Sequence, residues 1–267
     1  MEKTLKIVKI IFLLAIVTTS GLWFYWRYFP SRGEEVLVQK IVNKTESSVS
    51  SVANKIENQA TPVPNTANDK SVNIVVPFTV QAPNGNWSDP TYQNGCEEAS
   101  ALMAMGWAAG KTTIEQNFAE QEIKNISDYE TKLIGTYVDT DVDDVAKFMR
   151  GYFHYDAIEV KKNISATDII AELGKGNVVM VPVFGQALNN PHFTSPGPIE
   201  HMLVVTGYDA KTKEFITNDP GTKFGAGYRY TVTTLISAIW MYPTSPQTVQ
   251  YPGSDKALKA MIVVWRL

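Results

Sequence analysis

An uncharged apolar run near the N-terminus separates a short N-terminal segment from the rest of the chain. The run covers residues 10–26 and, with the apolar residues just before it, approaches the ~20 residues that span a bilayer. Three lysines precede the run, and tryptophan and tyrosine cluster at its far end, as they do at membrane interfaces. The pattern predicts a single transmembrane helix within an N-terminal anchor, residues 1–31. The N-terminus is expected in the cytoplasm and the rest of the chain outside.

A cleaved signal peptide is the alternative interpretation of the same run. Cleavage would need small residues of the A-x-A type after the apolar stretch. Trp23, Tyr25, Trp26 and Tyr28 stand there instead, which favours an uncleaved anchor.

The next segment is too polar to form a core. Residues 47–70 are rich in Ser, Thr, Asn and Pro, and such a composition cannot bury enough apolar surface to offset its conformational entropy. We therefore predict a flexible extracytoplasmic linker over residues 32–71 and one globular domain over residues 72–267.

Composition excludes several classes of protein. The net charge of −3 argues against a nucleic-acid partner, which would favour a basic excess. The single cysteine, Cys96, permits no intramolecular disulfide. With only three histidines, the chain has no cluster of four Cys or His ligands for structural zinc. We expect no metal and no cofactor.

Periodicity and breakers predict an α+β domain in which helices come first and an antiparallel sheet dominates later. The predicted strands are 72–80, 178–184, 202–208, 214–218, 228–232 and 260–266, and the predicted helices are 96–109, 141–152, 165–173 and 233–240.

Cys96 is predicted to open a helix, with Asn94 and Glu97 as a capping pair. Unpaired backbone N–H groups at a helix start favour a thiolate and lower the pKa of a thiol. The charges of Glu97 and Glu98 oppose this effect unless they point away. The alternative to a nucleophile is a buried structural cysteine.

His201 and Asp219 flank a predicted hairpin. Their midpoint lies in the turn at 209–213, so antiparallel pairing would make them cross-strand neighbours. A carboxylate on one ring nitrogen leaves the other free to take a proton from a thiol. A surface His–Asp pair is the alternative, but together with Cys96 the pattern favours a Cys–His–Asp triad.

An oxyanion donor should lie near the thiolate. The backbone N–H of Cys96 is one, and the side-chain amide of either Gln81 or Gln93 is another. Spacing alone does not choose between the two glutamines.

Two groups of motifs resemble the C39-like peptidase family of papain-fold proteins. The first comprises VPFTVQAP at 76–83, NW at 86–87 and GCEEAS at 95–100. The second comprises HMLVVTGYD at 201–209 and NDP at 218–220. The resemblance covers roughly residues 72–267. It implies a papain-like fold, with helices that carry the cysteine packed on an antiparallel sheet that carries the histidine and the aspartate.

The resemblance also implies roles for four residues. Cys96 would be the nucleophile, His201 the general base and acid, Asp219 the orienting residue, and Gln81 the oxyanion glutamine. Members that process bacteriocin leaders have Gly after an Asp-Cys pair and are fused to an export ATPase. This chain has Glu97 and Glu98 after its cysteine and no phosphate-binding G-x-x-x-x-G-K motif, so removal of double-glycine leaders does not carry over.

The function expected from these observations is a membrane-anchored, extracytoplasmic cysteine peptidase or amide hydrolase that works through a thioester. Its partners would be a peptide or protein substrate and the membrane, and we expect a monomer. Two alternatives remain open. One is a thiol acyltransferase of similar fold, and the other is a catalytically inactive surface module that binds without turnover.

Overall fold

The computed structural model describes residues 70–267, apart from 246 and 248. The predicted membrane anchor and nearly all of the predicted linker lie outside these residues. No helix of the described part is both long enough and apolar enough to span a bilayer.

The described residues form six α-helices and seven β-strands, in the predicted α+β order. The helices are α1 Pro90–Gln93, α2 Cys96–Ala108, α3 Gln116–Ile134, α4 Val142–Phe153, α5 Ala166–Gly174 and α6 Val232–Ala238. The strands are β1 Val72–Asn73, β2 Ile158–Lys162, β3 Val178–Phe184, β4 Glu200–Asp209, β5 Glu214–Asn218, β6 Tyr228–Thr231 and β7 Ala260–Val264.

A single antiparallel sheet organises the domain. Its order is β2-β7-β3-β4-β5-β6, and β1 pairs with the C-terminal part of β4. β3 and β4 are therefore central strands. The prediction of an antiparallel sheet in an α+β fold is confirmed.

Both faces of the central strands are buried, which explains their uninterrupted apolar sequences. Val178, Met180, Met202 and Val204 belong to the core shared with α2, α3 and α4. The alternate residues, among them Val179 and Leu203, belong to a second core shared with α5 and α6. The sheet thus lies between two helical layers, and α2 packs against β4.

Two helix starts follow from their capping residues. The side chain of Asp141 accepts hydrogen bonds from the backbone N–H groups of Asp143 and Asp144 at the first turn of α4. Ser165 and Asp168 form a reciprocal capping box at the start of α5. These contacts confirm the predicted N-terminal boundaries of both helices.

Other local predictions were wrong. Only residues 72–73 of the run predicted as strand 72–80 form a strand. The cap of α2 is Gly95 and not Asn94, whose side chain instead donates to the carbonyl of Pro90. The sequence reasoning also missed α1, β2 and the long helix α3.

Candidate active site

Cys96 is the first residue of α2, at the end of a helix that packs on β4. Gly95 precedes it at a point of close backbone approach, where a Cβ would lie 2.9 Å from the carbonyl oxygen of Thr91. Further along α2, the Ser100 hydroxyl donates to the carbonyl of Met202 on β4 at 3.2 Å. These contacts place the cysteine beside the start of β4.

His201 lies inside β4, and Asp219 follows β5 directly. The predicted hairpin is present, but its register differs from the symmetric one. Val204 pairs with Asn218, and a bulge interrupts the ladder between Val205 and Gly207. His201 and Asp219 are therefore offset along the strands, and their side chains bridge the offset with a hydrogen bond of 2.8 Å from Nε2 to Oδ1.

Three donors converge on the carboxylate of Asp219. Besides the imidazole of His201, the hydroxyl of Tyr230 donates to Oδ2 at 2.7 Å and the backbone N–H of Gly221 donates to Oδ1 at 3.0 Å. Burial alone would raise the pKa of Asp219, but the charge of His201 and these hydrogen bonds hold it below its ordinary value. An ionised carboxylate only accepts, so Nε2 of His201 carries the proton and Nδ1 remains available to accept one.

The His201–Asp219 pair is buried, with exposed fractions of 1% and 0%. The alternative of a solvated surface pair is therefore wrong. The Phe193 ring meets the imidazole edge to face at 5.5 Å between centroids. On another side, a Cβ at Gly221 would lie 3.0 Å from Cε1 of His201. Aromatic and backbone atoms thus restrict the imidazole.

A cleft of about 470 Å³ joins Cys96 and His201. Residues before and within α1, at the start of α2, and in the loops before α4, before β4 and after β5 line it. Its lining consists of Gln81, Trp87, Gln93, Asn94, Cys96, Asp139, Phe193, Thr194, Pro198, Ile199, Glu200, His201 and Gly221.

The electrostatics of Cys96 differ from the prediction. Among the described residues, the thiol donates its hydrogen bond to Oε2 of Glu97 at 2.9 Å and not to His201. Burial, followed by the charge and hydrogen bond of Glu97, raises the pKa of the thiol well above its ordinary value. The expected effect of the helix start is therefore outweighed by desolvation and by a neighbouring carboxylate.

The two candidate oxyanion glutamines are placed differently. Gln81 is buried, and its Nε2 donates to the carbonyls of Tyr92 and Gln93, both at 3.0 Å. Both of its N–H bonds therefore hold the turn before Cys96. Gln93 is exposed at the edge of the cleft. Gln81 would have to exchange one of these bonds to donate to an oxyanion.

Several polar residues near the site were missed by the sequence reasoning. Tyr230 supports Asp219, and Tyr242 donates to Oε1 of Glu97 at 2.6 Å. Asp139 lines the cleft, and its pKa is raised to about 8 by burial and by the charges of Glu97 and Glu200. No local motif signals these contacts, because each joins residues from different elements of the fold. Within the described part of the chain, no group of three or more His, Cys, Asp or Glu side chains could hold a metal ion.

A thiol at a helix start and an imidazole held by a buried carboxylate line one cleft of this antiparallel α+β scaffold. The comparisons give the family. The model of the Peptidase C39 like family matches residues 73–244, and the chain belongs to that family.

Comparison with solved structures gives a more distant match. The crystal structure of a candidate C39-like peptidase from Bacillus anthracis matches with a TM-score of 0.44 and 14% identity, over 74% of this chain and 98% of that one. No curated protein matches the chain.

Proposed function

We propose that this protein is a membrane-anchored, extracytoplasmic cysteine peptidase or related amide hydrolase that uses Cys96, His201 and Asp219 as a triad. The observation that carries the proposal is the buried His201–Asp219 hydrogen bond beside the cleft that Cys96 lines. A nucleophile, a base and an orienting carboxylate are the three groups that thiol acyl transfer needs. Membership of the C39-like family supports the same class of reaction. Anchoring and location rest on the apolar run at 10–26.

In the proposed reaction, the thiol of Cys96 gives its proton to Nδ1 of His201, and the sulfur attacks the carbonyl carbon of a peptide bond. The imidazolium protonates the leaving amine as the tetrahedral intermediate collapses to a thioester. Water, deprotonated by His201, then hydrolyses the thioester. Asp219 orients the imidazole and stabilises its positive charge throughout.

Two groups could stabilise the oxyanion of the tetrahedral intermediate. The backbone N–H of Cys96 lies in the first turn of α2, where N–H groups have no partner within the helix. Gln81 lines the same cleft and could add a second donor by exchanging its bond to one of the two carbonyls that it holds.

The test combines two measurements, the rate of alkylation of the Cys96 thiol and the rate of peptide cleavage. Because Cys96 is the only cysteine, alkylation of the full-length chain by iodoacetamide reports on this one thiol. We expect peptide cleavage to be lost in Cys96→Ala, and we expect alkylation of the native protein to become slower in His201→Ala. Cleavage that persists in Cys96→Ala would refute the proposal.

A second candidate function is a binding module without turnover. One observation favours it: the thiol is buried, donates to Glu97 and has a raised pKa. If alkylation of Cys96 follows the same pH profile with and without His201, and no peptide is cleaved, this second function replaces the first.

A further inference from the structure

Glu97 is a buried carboxyl group with a defined partner on each oxygen. Oε2 accepts the S–H of Cys96 at 2.9 Å, and Oε1 accepts the hydroxyl of Tyr242 at 2.6 Å. The Glu97 and Tyr242 side chains are both 0% exposed. A continuous hydrogen-bond chain therefore runs from the interior through Glu97 to the sulfur of the proposed nucleophile.

The groups that face Glu97 are mostly acidic. Burial raises its pKa, whereas the hydrogen bonds of Cys96 and Tyr242 and the charge of His201 lower it. The titratable groups around it are Cys96 and Glu98 on α2, Glu130 on α3, Asp139 before α4, His201 on β4 and Tyr242 after α6.

The two protonation states of Glu97 have opposite effects on the sulfur. As a carboxylate it can only accept, so it holds the proton on the thiol and repels a thiolate. As a carboxylic acid it can donate, and a hydrogen bond to the charged form of a group stabilises that form. Oε2 of Glu97 lies 2.9 Å from the sulfur. When Oε2 carries a proton that points toward the sulfur, the direction of this hydrogen bond is reversed.

We propose that Glu97 is the proton gate of Cys96: charged, it retains the thiol, and neutral, it donates to the thiolate while His201 carries the proton of the thiol. This inference rests on the proposed role of Cys96 as nucleophile. In the gated step, the S–H bond breaks, its electron pair stays on sulfur and a bond forms between the proton and Nδ1 of His201. Glu97 takes its own proton from solvent beforehand.

Tyr242 sets the balance of the gate. Its hydroxyl donates to the carboxylate and so stabilises the charged form of Glu97. Removal of this donor should keep Glu97 neutral to a higher pH. The effect on the thiol should have the same direction as a neutral side chain at position 97.

The experiment measures the rate of iodoacetamide alkylation of Cys96 in the full-length chain between pH 5 and pH 10. Glu97→Gln places a permanent neutral donor beside the sulfur without changing the size of the side chain. We expect the apparent pKa of the thiol to fall by about one unit, so that alkylation at pH 7 becomes about tenfold faster. Tyr242→Phe should shift the profile in the same direction by a smaller amount.

Glu98→Gln is the matched control. Glu98 is the next residue on α2 and is equally buried, but it is hydrogen-bonded to Ser127 and not to Cys96. Burial and the charge of Glu97 raise its pKa well above the ordinary value. Because the carboxyl group of Glu98 is bonded to Ser127 and not to the sulfur, its replacement should leave the profile unchanged.

An alkylation profile of Glu97→Gln identical to that of the natural protein, or slower alkylation at pH 7, would overturn the gate. Slower alkylation would identify the carboxylate as a base that assists ionisation. If Glu97→Gln fails to fold, the Tyr242→Phe profile decides, and an unshifted profile there overturns the gate as well. The alkylation profiles need no substrate and test only the role of Glu97. The proposed function is tested separately, by measuring peptide cleavage in Cys96→Ala.

Discussion

Replacement of Glu130 by glutamine should stabilise the protein, and the gain should grow with pH. Glu130 lies on α3 with an exposed fraction of 0%, and neither of its carboxyl oxygens has a hydrogen-bond partner among the described residues. Burial, followed by the charges of Glu98 and Glu97, raises its pKa from 4.5 to about 11. The folded protein therefore keeps this group protonated at neutral pH, whereas the unfolded chain ionises it.

The size of the effect follows from proton linkage. Because the folded state binds one more proton than the unfolded state between these two pKa values, stability falls by about 1.4 kcal/mol per pH unit in that range. Below pH 4.5, ionisation of Glu130 costs the folded state nothing. At pH 7, it lowers the free energy of unfolding by about 3 kcal/mol. Glutamine keeps the neutral shape and removes the proton uptake.

Urea unfolding of residues 71–267 at pH 5, 6, 7 and 8 measures this slope. Glu172→Gln is the control. Glu172 is also buried, but hydrogen bonds from Lys175, Lys161 and Asn177 overcome the effect of its burial and lower its pKa to about 2. Its loss should lower stability by a constant amount over this pH range. A constant difference between Glu130→Gln and the natural chain from pH 5 to pH 8 would refute the reasoning.

Three further predictions concern the site and the boundary of the domain. Asp219→Asn should reduce the rate of peptide cleavage by less than Cys96→Ala does, because Asp219 orients the base and forms no bond to substrate. An unchanged cleavage rate in Asp219→Asn would exclude Asp219 from the triad. Gly221→Ala should lower cleavage and leave the far-ultraviolet circular dichroism unchanged, since its Cβ would lie 2.9 Å from the Phe193 ring and 3.0 Å from His201. Deletion of residues 1–70 should yield a soluble, folded monomer by light scattering, and aggregation would show that the N-terminal region belongs to the fold.

Elements were predictable where one local signal dominated. β3 has the predicted bounds because both of its faces are buried and its residues form one apolar run. By contrast, α3 was missed because only five of its 19 residues are buried and most of the others are polar. The signal was present nevertheless, since Ala119, Ile123 and Ile126 are buried and recur at helical spacing.

The site was predictable in its residue types and not in its electrostatics. A cysteine at a helix start and a histidine and aspartate across a hairpin can be read from spacing, although the observed register near Val204 is offset by two residues from the symmetric one. The contact between Glu97 and Tyr242 joins residues that are 145 positions apart, and no periodicity encodes it. The burial that raises the pKa of Cys96 depends on the whole fold in the same way.

The charge of His201 and hydrogen-bond donors, and not a difference in burial, distinguish the carboxyl group of Asp219 from that of Glu130. Asp219 and Glu130 are both 0% exposed, yet the pKa of the first is lowered and that of the second is raised. Asp219 receives donors from His201, Tyr230 and the backbone of Gly221, whereas Glu130 receives none that satisfies hydrogen-bond geometry. Loss of one donor should therefore move Asp219 toward the behaviour of Glu130.

Tyr230→Phe tests this argument. A hydrogen bond to a charged group contributes about 1.5–3 kcal/mol, which corresponds to roughly one to two pKa units. Since the lowered pKa of Asp219 keeps it ionised to low pH, its rise should move the acid limb of cleavage upward by about one pH unit and leave the rate at pH 8 nearly unchanged. Asn190→Ala is the control, because Asn190 contacts the hydroxyl of Tyr230 and not Asp219. An acid limb that stays in place in Tyr230→Phe would mean that the charge of Asp219 depends on His201 and the backbone alone.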